Sequence, residues 1–517
     1  MNPAPELPSE TVPESSGPAG KSPDSPFLLL PRPRELRREE GSFPVTRNLT
    51  VGVRGEAFPS DGFLREIREW FSRGTGIPVS RLSGEPEDSS SGLVFVLDRR
   101  LADLGEEGYL LRISREGIRA EAAGTAGLFY AFQTLRQLLP PDWETPPGPG
   151  EERLPLELPA ATIRDFPRYP WRGAMLDTVR RFFTVEEVCR YMDMLARYKM
   201  NRLHLHLSDD QGFRFSVEAL PELTRIGGAT QAGSGPGGFY SREDFRVLLA
   251  HAEARHILII PEIDMPGHTN AILASLPSLN PGGIAPAPYR GTEVGFSCLD
   301  PDNPLTWEVL DLILTELAEA SPAPWIHLGG DEVTSLPAER YREFMTRAMA
   351  LVRDRGKLVM AYHEAAGAEL PPETLIQHWR PDRPDLTREA AARGAGIVLS
   401  PADRIYLDMK YHRGYPLGLD WAGTVDVHRS RCWEPAELIP DLPESAVAGV
   451  EAPLWTETVR TMADLELLVL PRLAGTAEIG WSSPGLTWEG YLPRLAAQEE
   501  RWEELGWRFH REEETAP

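Results

Sequence analysis

After Arg164 the chain settles into a repeating rhythm of short apolar strand, loop and helix, and that rhythm limits the fold more than any other feature. Runs at 173–177, 202–207, 257–263, 325–328, 358–362, 375–379, 396–399 and 447–454 read as strands. Most are continuously apolar rather than alternating, as parallel strands are when helices cover both faces. Helical patterns at 185–198, 242–254, 338–355, 387–393 and 465–473 follow several of them. Eight such units predict an α/β fold, a closed (β/α)8 TIM barrel with its active site at the C-terminal ends of the strands.

The segment before the barrel has a different pattern. Strands are expected at 49–53 and 93–97, a hairpin at 108–113 and 117–122, and helices at 63–71 and 126–139, which together make a small α+β domain. A Pro/Gly-rich stretch at 145–150 reads as a linker. The first 26 residues are rich in Pro, Ser, Glu and Gly and are expected to be disordered. The expected organisation is therefore a disordered segment at 1–26, an accessory α+β domain with its linker at 27–150, and a catalytic barrel at 151–517.

A formal net charge of -24 argues against nucleic acid or an anionic membrane as a partner. No apolar run reaches the ~20 residues that a membrane helix requires. The N-terminus lacks the basic start and apolar core of a signal peptide, so a cytoplasmic protein is expected. Cys189, Cys298 and Cys432 are far apart and show neither metal-ligand spacing nor a disulfide framework. No cofactor and no metal are expected.

The chemistry gathers at the expected strand ends. Trp325-Ile326-His327-Leu328-Gly329-Gly330-Asp331-Glu332-Val333 is a short strand ending in two adjacent carboxylates behind a Gly-Gly pair. Mutual repulsion raises at least one pKa of such a pair, which suits a proton donor near neutral pH. An acidic pair in that place also caps helices, and its neighbours decide between the two readings. Other strand ends lead to Asp177 and Arg180, to Asp209 and Asp210, and to Glu262, Asp264 and His268. The later ones lead to Trp379, to Tyr406 and Asp408, and to Trp455 and Glu457. Each residue has a plain structural role available, such as an Arg180–Asp177 ion pair, a helix start at Glu457 or a core position for a tryptophan. Packing does not explain why all of them fall at strand ends. Carboxylates, an arginine and aromatic planes suit a sugar, whose hydroxyls take charged partners and whose C–H faces stack on indole rings.

A metal-dependent barrel hydrolase is the rival, because His204 and His206 put two imidazoles on one face of a strand. That pair lies several residues before the acidic strand end, and His268 is the one further histidine at a strong strand-end position. His204 and His206 are expected as hydrogen-bonded residues lining the barrel.

Four stretches resemble the β-N-acetylhexosaminidases of glycoside hydrolase family 20. They are 172–183, beginning Arg172-Gly173-Ala174-Met175-Leu176-Asp177, and 198–212, with His204-Leu205-His206-Leu207-Ser208-Asp209-Asp210. The others are 261–269, with Pro261-Glu262-Ile263-Asp264-Met265-Pro266-Gly267-His268, and 327–332, ending in Gly329-Gly330-Asp331-Glu332. The likeness covers the barrel from about 164 to 501, and more weakly 108–139 resembles the family's accessory domain.

The resemblance implies an exo-acting, retaining enzyme that uses the substrate's own 2-acetamido group as nucleophile through an oxazolinium intermediate. It implies that Glu332 protonates the leaving oxygen and later activates water, while Asp331 holds the acetamido N–H and stabilises the positive charge. Tyr406 would donate to the acetamido oxygen. Arg180, Asp408 and Glu457 would bind the outer hydroxyls of a terminal sugar, with Asp209 and His268 supporting Glu332. Trp379, Trp421 and Trp455 would wall the pocket. Where the family pattern has a tryptophan after the fifth strand this chain has Tyr362, which changes the expected shape of the acetamido recess. A sugar-binding protein on the same scaffold, without turnover, is the second class that the residues allow.

Overall fold

The computed structural model describes residues 27–54, 61–81 and 92–511, so the expectation of disorder for 1–26 lies outside the described residues. The first body is a seven-stranded sheet ordered Glu35–Val45, Leu156–Asp165, Tyr109–Ser114, Gly117–Ala122, Leu93–Leu97, Thr50–Arg54, Ser80–Arg81. Helices Asp61–Thr75 and Thr125–Leu138 pack on it. Leu156–Asp165 pairs antiparallel with both Glu35–Val45 and Tyr109–Ser114, so this sheet recruits a strand from beyond 145–150. We therefore place the boundary between the two bodies after Asp165 rather than at 150.

The barrel strands are β1 (Trp171–Asp177), β2 (Arg202–His206), β3 (Leu258–Glu262), β4 (Trp325–His327), β5 (Leu358–Tyr362), β6 (Leu375–His378), β7 (Gly396–Leu399) and β8 (Val447–Leu454). All pair in parallel, and β8 closes onto β1. Their side chains are almost wholly buried, which explains the unbroken apolar runs. Capping boxes start several covering helices, with Thr184 and Glu187 opening Val185–Arg197 and Ser241 and Asp244 opening Arg242–Glu253. The helical pattern expected at 465–473 is two helices, Met462–Val469 and Arg472–Trp481, broken around Pro471.

Buried charge joins the two bodies. Asp165, the last residue of the sheet, accepts from Lys199 Nζ at 2.9 Å, the Tyr109 hydroxyl at 2.7 Å and Trp481 Nε1 at 3.0 Å. Arg172 on β1 donates to Glu107 through both terminal nitrogens, at 3.0 and 2.6 Å. These contacts fix the accessory body against the barrel and leave the C-terminal strand ends clear. Among the described residues no helix is long and apolar enough to cross a membrane.

Candidate active site

The C-terminal strand ends surround a cavity of about 230 Å³. Asp331 and Glu332 stand on one side with His268, and Arg180, Asp408 and Glu457 also line it. Trp379, Tyr406, Trp421 and Trp455 supply aromatic walls, and Thr292 and Val294 complete the lining with Leu419. Trp421 is 54 % exposed, so it sits at the mouth, with its ring centroid 5.9 Å from those of Trp379 and Tyr406.

Backbone conformation at the end of β4 places the acid pair. Gly329 and Gly330 have φ of 63° and 96°, and Glu332 adopts 54°, in the left-handed region that costs a non-glycine residue about 1–2 kcal/mol. His268 takes the same conformation at 54°. Held strain of this kind marks residues whose position matters more than their local comfort. Asp264 Oδ1 accepts from Gly330 N–H at 3.0 Å and locks the turn. A Cβ on Gly329 would meet that oxygen at 1.8 Å. Gly329→Ala is therefore expected to lose at least ~2 kcal/mol, from the clash and the left-handed φ together. Calorimetry would read this as a lower Tm, and an unchanged Tm would contradict the geometry.

Glu332 has 36 % of its side chain exposed, and its Oε2 lies 3.6 Å from His268 Nε2. Burial, then the neighbouring Asp331 carboxylate, holds Glu332 above the ordinary carboxylate range. Asp331 is nearly buried, with Oδ2 4.0 Å from His268 Nε2. Across the cavity, Arg180 Nη2 contacts Asp209 Oδ2 at 2.7 Å and the guanidinium lies 4.8 Å from the Trp455 ring. Burial opposes the Arg180 charge, but Asp209, Asp177 and Glu457 more than offset it. Among the described residues Arg180 Nε and Nη1, Asp408 Oδ2, Glu457 Oε2 and Asp331 Oδ1 have no hydrogen-bond partner. Unpaired buried polar atoms are costly, and these converge where a hydroxylated ligand would satisfy them. Asp408 is pushed well up by burial and by the charge of Glu457.

The strand-end residues Asp177, Asp210, Glu262 and Asp264 do not line the cavity, nor do Asp209 and Tyr362. Asp209 lies behind it, where its Oδ1 meets His268 Nδ1 at 3.2 Å and its Oδ2 faces Arg180. Tyr362 is 1 % exposed, and its ring centroid lies 4.6 Å from that of His327. It shares an apolar cluster with Trp379 and Tyr406, which form the wall in front of it, and its hydroxyl has no hydrogen-bond partner among the described residues.

The sequence gives Glu451, His327 and Gln377 no role, while Glu364, beside Tyr362, is a candidate for a neighbouring subsite. Glu364 accepts from Trp379 Nε1 at 3.2 Å, and burial and the Asp331 charge raise its pKa to about 8. Glu451 accepts from His204, Trp171 and Gln377 in the barrel interior. Its signal was present: a carboxylate inside the otherwise apolar β8 is too costly to bury without a purpose.

Donor sets spaced for a cation exist, among them His204, Glu262 and His327. His204 and His206 each point both ring nitrogens at carboxylates, at 2.9 and 3.1 Å and at 2.5 and 2.9 Å. Burial opposes their ionisation, yet Glu262 with Glu451 raises His204 to about 9, and Glu262 with Asp209 raises His206 well above the ordinary value. A doubly protonated ring has no lone pair for a metal.

Comparison with known proteins shows the family of this fold. The chain matches the model of "Glycosyl hydrolase family 20, catalytic domain" over residues 169–341 and 337–484, and that of "Glycosyl hydrolase family 20, domain 2" over 28–166. A β-N-acetylhexosaminidase of Cellulomonas fimi is 39 % identical over 84 % of this chain and 87 % of its own. The solved GH20 β-N-acetylhexosaminidase of Streptomyces coelicolor superposes with a TM-score of 0.89 at 42 % identity, covering 95 % of this chain and 98 % of that one. The N-acetyl-β-hexosaminidase of Streptomyces plicatus, solved with Thio-NAglucal, gives 0.90 at 42 % identity over 96 % and 98 %. A mutant of the same enzyme, solved with the product GlcNAc, matches equally well. With its catalytic domain and its accessory domain both matched, the chain belongs to glycosyl hydrolase family 20.

Proposed function

We propose that this glycosidase is an exo-acting, retaining β-N-acetylhexosaminidase that removes a terminal non-reducing N-acetylhexosamine by substrate-assisted catalysis. The observation that carries the reading is the strained Asp331-Glu332 turn facing a small cavity whose far side offers unpaired Arg180, Asp408 and Glu457 atoms. A cavity of about 230 Å³ suits one sugar ring rather than a threaded chain. The Streptomyces plicatus enzyme holding GlcNAc as product supports the substrate class.

In this reading Arg180, Asp408 and Glu457 take the outer hydroxyls and orient the ring. Tyr406 donates to the acetamido oxygen while Asp331 accepts from the acetamido N–H, so that the oxygen is aimed at the anomeric carbon. As the glycosidic bond breaks, Glu332 gives its proton to the leaving oxygen, and Asp331 offsets the charge spread over the new ring. Glu332, now ionised, then takes a proton from the water that opens the oxazolinium, and net configuration is retained. His268, backed by Asp209, faces Glu332 throughout. Trp379, Trp421 and Trp455 exclude water from the reacting atoms.

Initial rates on paired gluco- and galacto-configured aryl N-acetyl-β-glycosides test the reading. Release of the aryl group, lost in Glu332→Gln, supports an enzyme. A folded protein that binds N-acetylglucosamine and turns over neither glycoside would show the sugar-binding alternative instead.

Tyr362 governs a finer property. Tyr362→Trp puts a larger ring behind Trp379 and Tyr406 and should push them toward the acyl recess. The variant is expected to stay folded and active, with N-propionyl and N-butyryl substrates losing more rate than N-acetyl. An unchanged acyl profile would show that Tyr362 does not shape the recess.

A further inference from the structure

The two imidazoles of His204-Leu205-His206 lie wholly inside the barrel, and the hydrolytic scheme above does not use them. His206 Nδ1 is 2.5 Å from Glu262 Oε2, and its Nε2 is 2.9 Å from Asp209 Oδ2. A neutral ring donates from one nitrogen only, so serving both carboxylates requires the imidazolium. Asp209 Oδ2 also receives Arg180 Nη2 at 2.7 Å, which leaves Oδ1 to meet His268 Nδ1 at 3.2 Å. His268 Nε2 then faces Glu332 Oε2 at 3.6 Å. Behind Glu262 stands His204, 3.1 Å away through Nε2, with its Nδ1 2.9 Å from Glu451 Oε1. The contacts run from the barrel interior to His268, whose Nε2 has no hydrogen-bond partner among the described residues and faces the acid across 3.6 Å.

We propose that His206, gripped by Glu262, is a positioning residue for the acid catalyst: it pins Asp209 so that His268 is aimed at Glu332. The proposal rests on the assignment of Glu332 as the acid. Asp209 Oδ2 faces two cations and Oδ1 also accepts from the Asp210 N–H at 2.5 Å; with His206 removed, Oδ2 would keep Arg180 alone, and the carboxylate would turn about its Asp210 contact and draw Oδ1 out of line with His268. The charged groups around His206 come from every side. Asp177 on β1 is its register neighbour, with Arg180 beyond it, and Glu262 and Asp264 come from the end of β3. His204 shares its strand, His327 on β4 shares Glu262 with it at 3.1 Å, and the Trp455 ring just after β8 lies 5.0 Å away.

The test is His206→Gln in the full chain, assayed across pH on two substrates: a disaccharide, whose leaving group needs protonation, and an aryl glycoside with an acidic leaving group. A misaimed acid should cost the disaccharide about 10- to 100-fold in kcat/KM and the aryl glycoside several-fold less, with KM little changed. Loss of a cation also raises the proton affinity of Glu332, so the basic limb should move up by about half a pH unit. Glu262→Gln should lower disaccharide turnover selectively as well, and the double variant should be no worse than the poorer single one, since both act through one path.

Parallel losses on both substrates with an unshifted profile, or additive losses in the double variant, would overturn the proposal. Should neither variant fold, nitrogen-15 histidine spectra of the wild-type enzyme decide: the proposal requires doubly protonated rings near neutral pH, and neutral rings throughout would overturn it. Glu332→Gln is assayed beside them. Full disaccharide activity in that variant would remove the acid assignment itself, an outcome distinct from a silent His206.

Discussion

Glu332→Gln should reduce turnover of a disaccharide by about 10²–10⁴-fold and leave KM close to its starting value. The substitution keeps the shape and removes only the transferable proton. Burial and Asp331 hold this carboxyl above the ordinary range, so it keeps that proton at a pH where an exposed glutamate has lost it. Protonated acid is needed for the first step, so activity is present below the raised value and falls as pH rises through it. In the variant that basic limb should disappear. An aryl glycoside with an acidic leaving group departs without much help and should suffer less in this step. Equal activity of variant and parent on the disaccharide would remove Glu332 from the acid role.

Asp331→Asn should weaken binding of a thiazoline mimic of the cyclic intermediate by on the order of 2–4 kcal/mol, read as a competitive inhibition constant. Mimics of high-energy species commonly gain about 10²-fold or more over substrate, and much of that gain needs a negative charge opposite the ring nitrogen. Asp331 is nearly buried beside His268 and Asp264, where the charge is little screened by water. The amide preserves the volume and one acceptor oxygen. An unchanged inhibition constant would show that Asp331 serves the turn and not the intermediate.

The barrel strands were legible because burial on both faces leaves an apolar run that nothing else in the chain imitates. β5, β7 and β8 fall at the residues expected, and the other strands begin or end within about two residues of them. Glu35–Val45 was not read as a strand. It is an edge strand with most residues exposed, and Glu-Leu-Arg-Arg-Glu-Glu carries no periodic apolar signal. Leu156–Asp165 was assigned to the barrel side because the Pro/Gly stretch before it looked like a boundary. Pairing across the sheet is a long-range fact that local composition does not encode. The helix Pro304–Ala320 went unread although Asn303 caps it and Pro304 opens it, since the long loop before it interrupts the strand–helix rhythm.

Within the site, most of the charged and aromatic lining residues are readable as a list because each is chemically unusual at the end of an apolar strand; Trp421 follows only from the family resemblance, and Thr292, Val294 and Leu419 carry no such signal. The mutual arrangement of the lining residues was not readable. Nothing local says that Asp209 backs His268 and Arg180 together, or that Tyr362 stands behind the wall instead of in it. The interior network was the least visible part. Glu262 was noted only as a strand-end acid, while its contacts to His204, His206 and His327 come from two neighbouring strands.

The central claim is that the substrate's acetamido oxygen is the nucleophile, and it is tested most directly by two glycosides identical except at C2. With a good aryl leaving group, the 2-acetamido compound should be cleaved rapidly and the 2-hydroxy compound should be nearly inert. The latter lacks the attacking atom, not merely a contact. Efficient cleavage of the 2-hydroxy glycoside, with a sugar ester trapped on a protein carboxylate, would show instead that a side chain attacks.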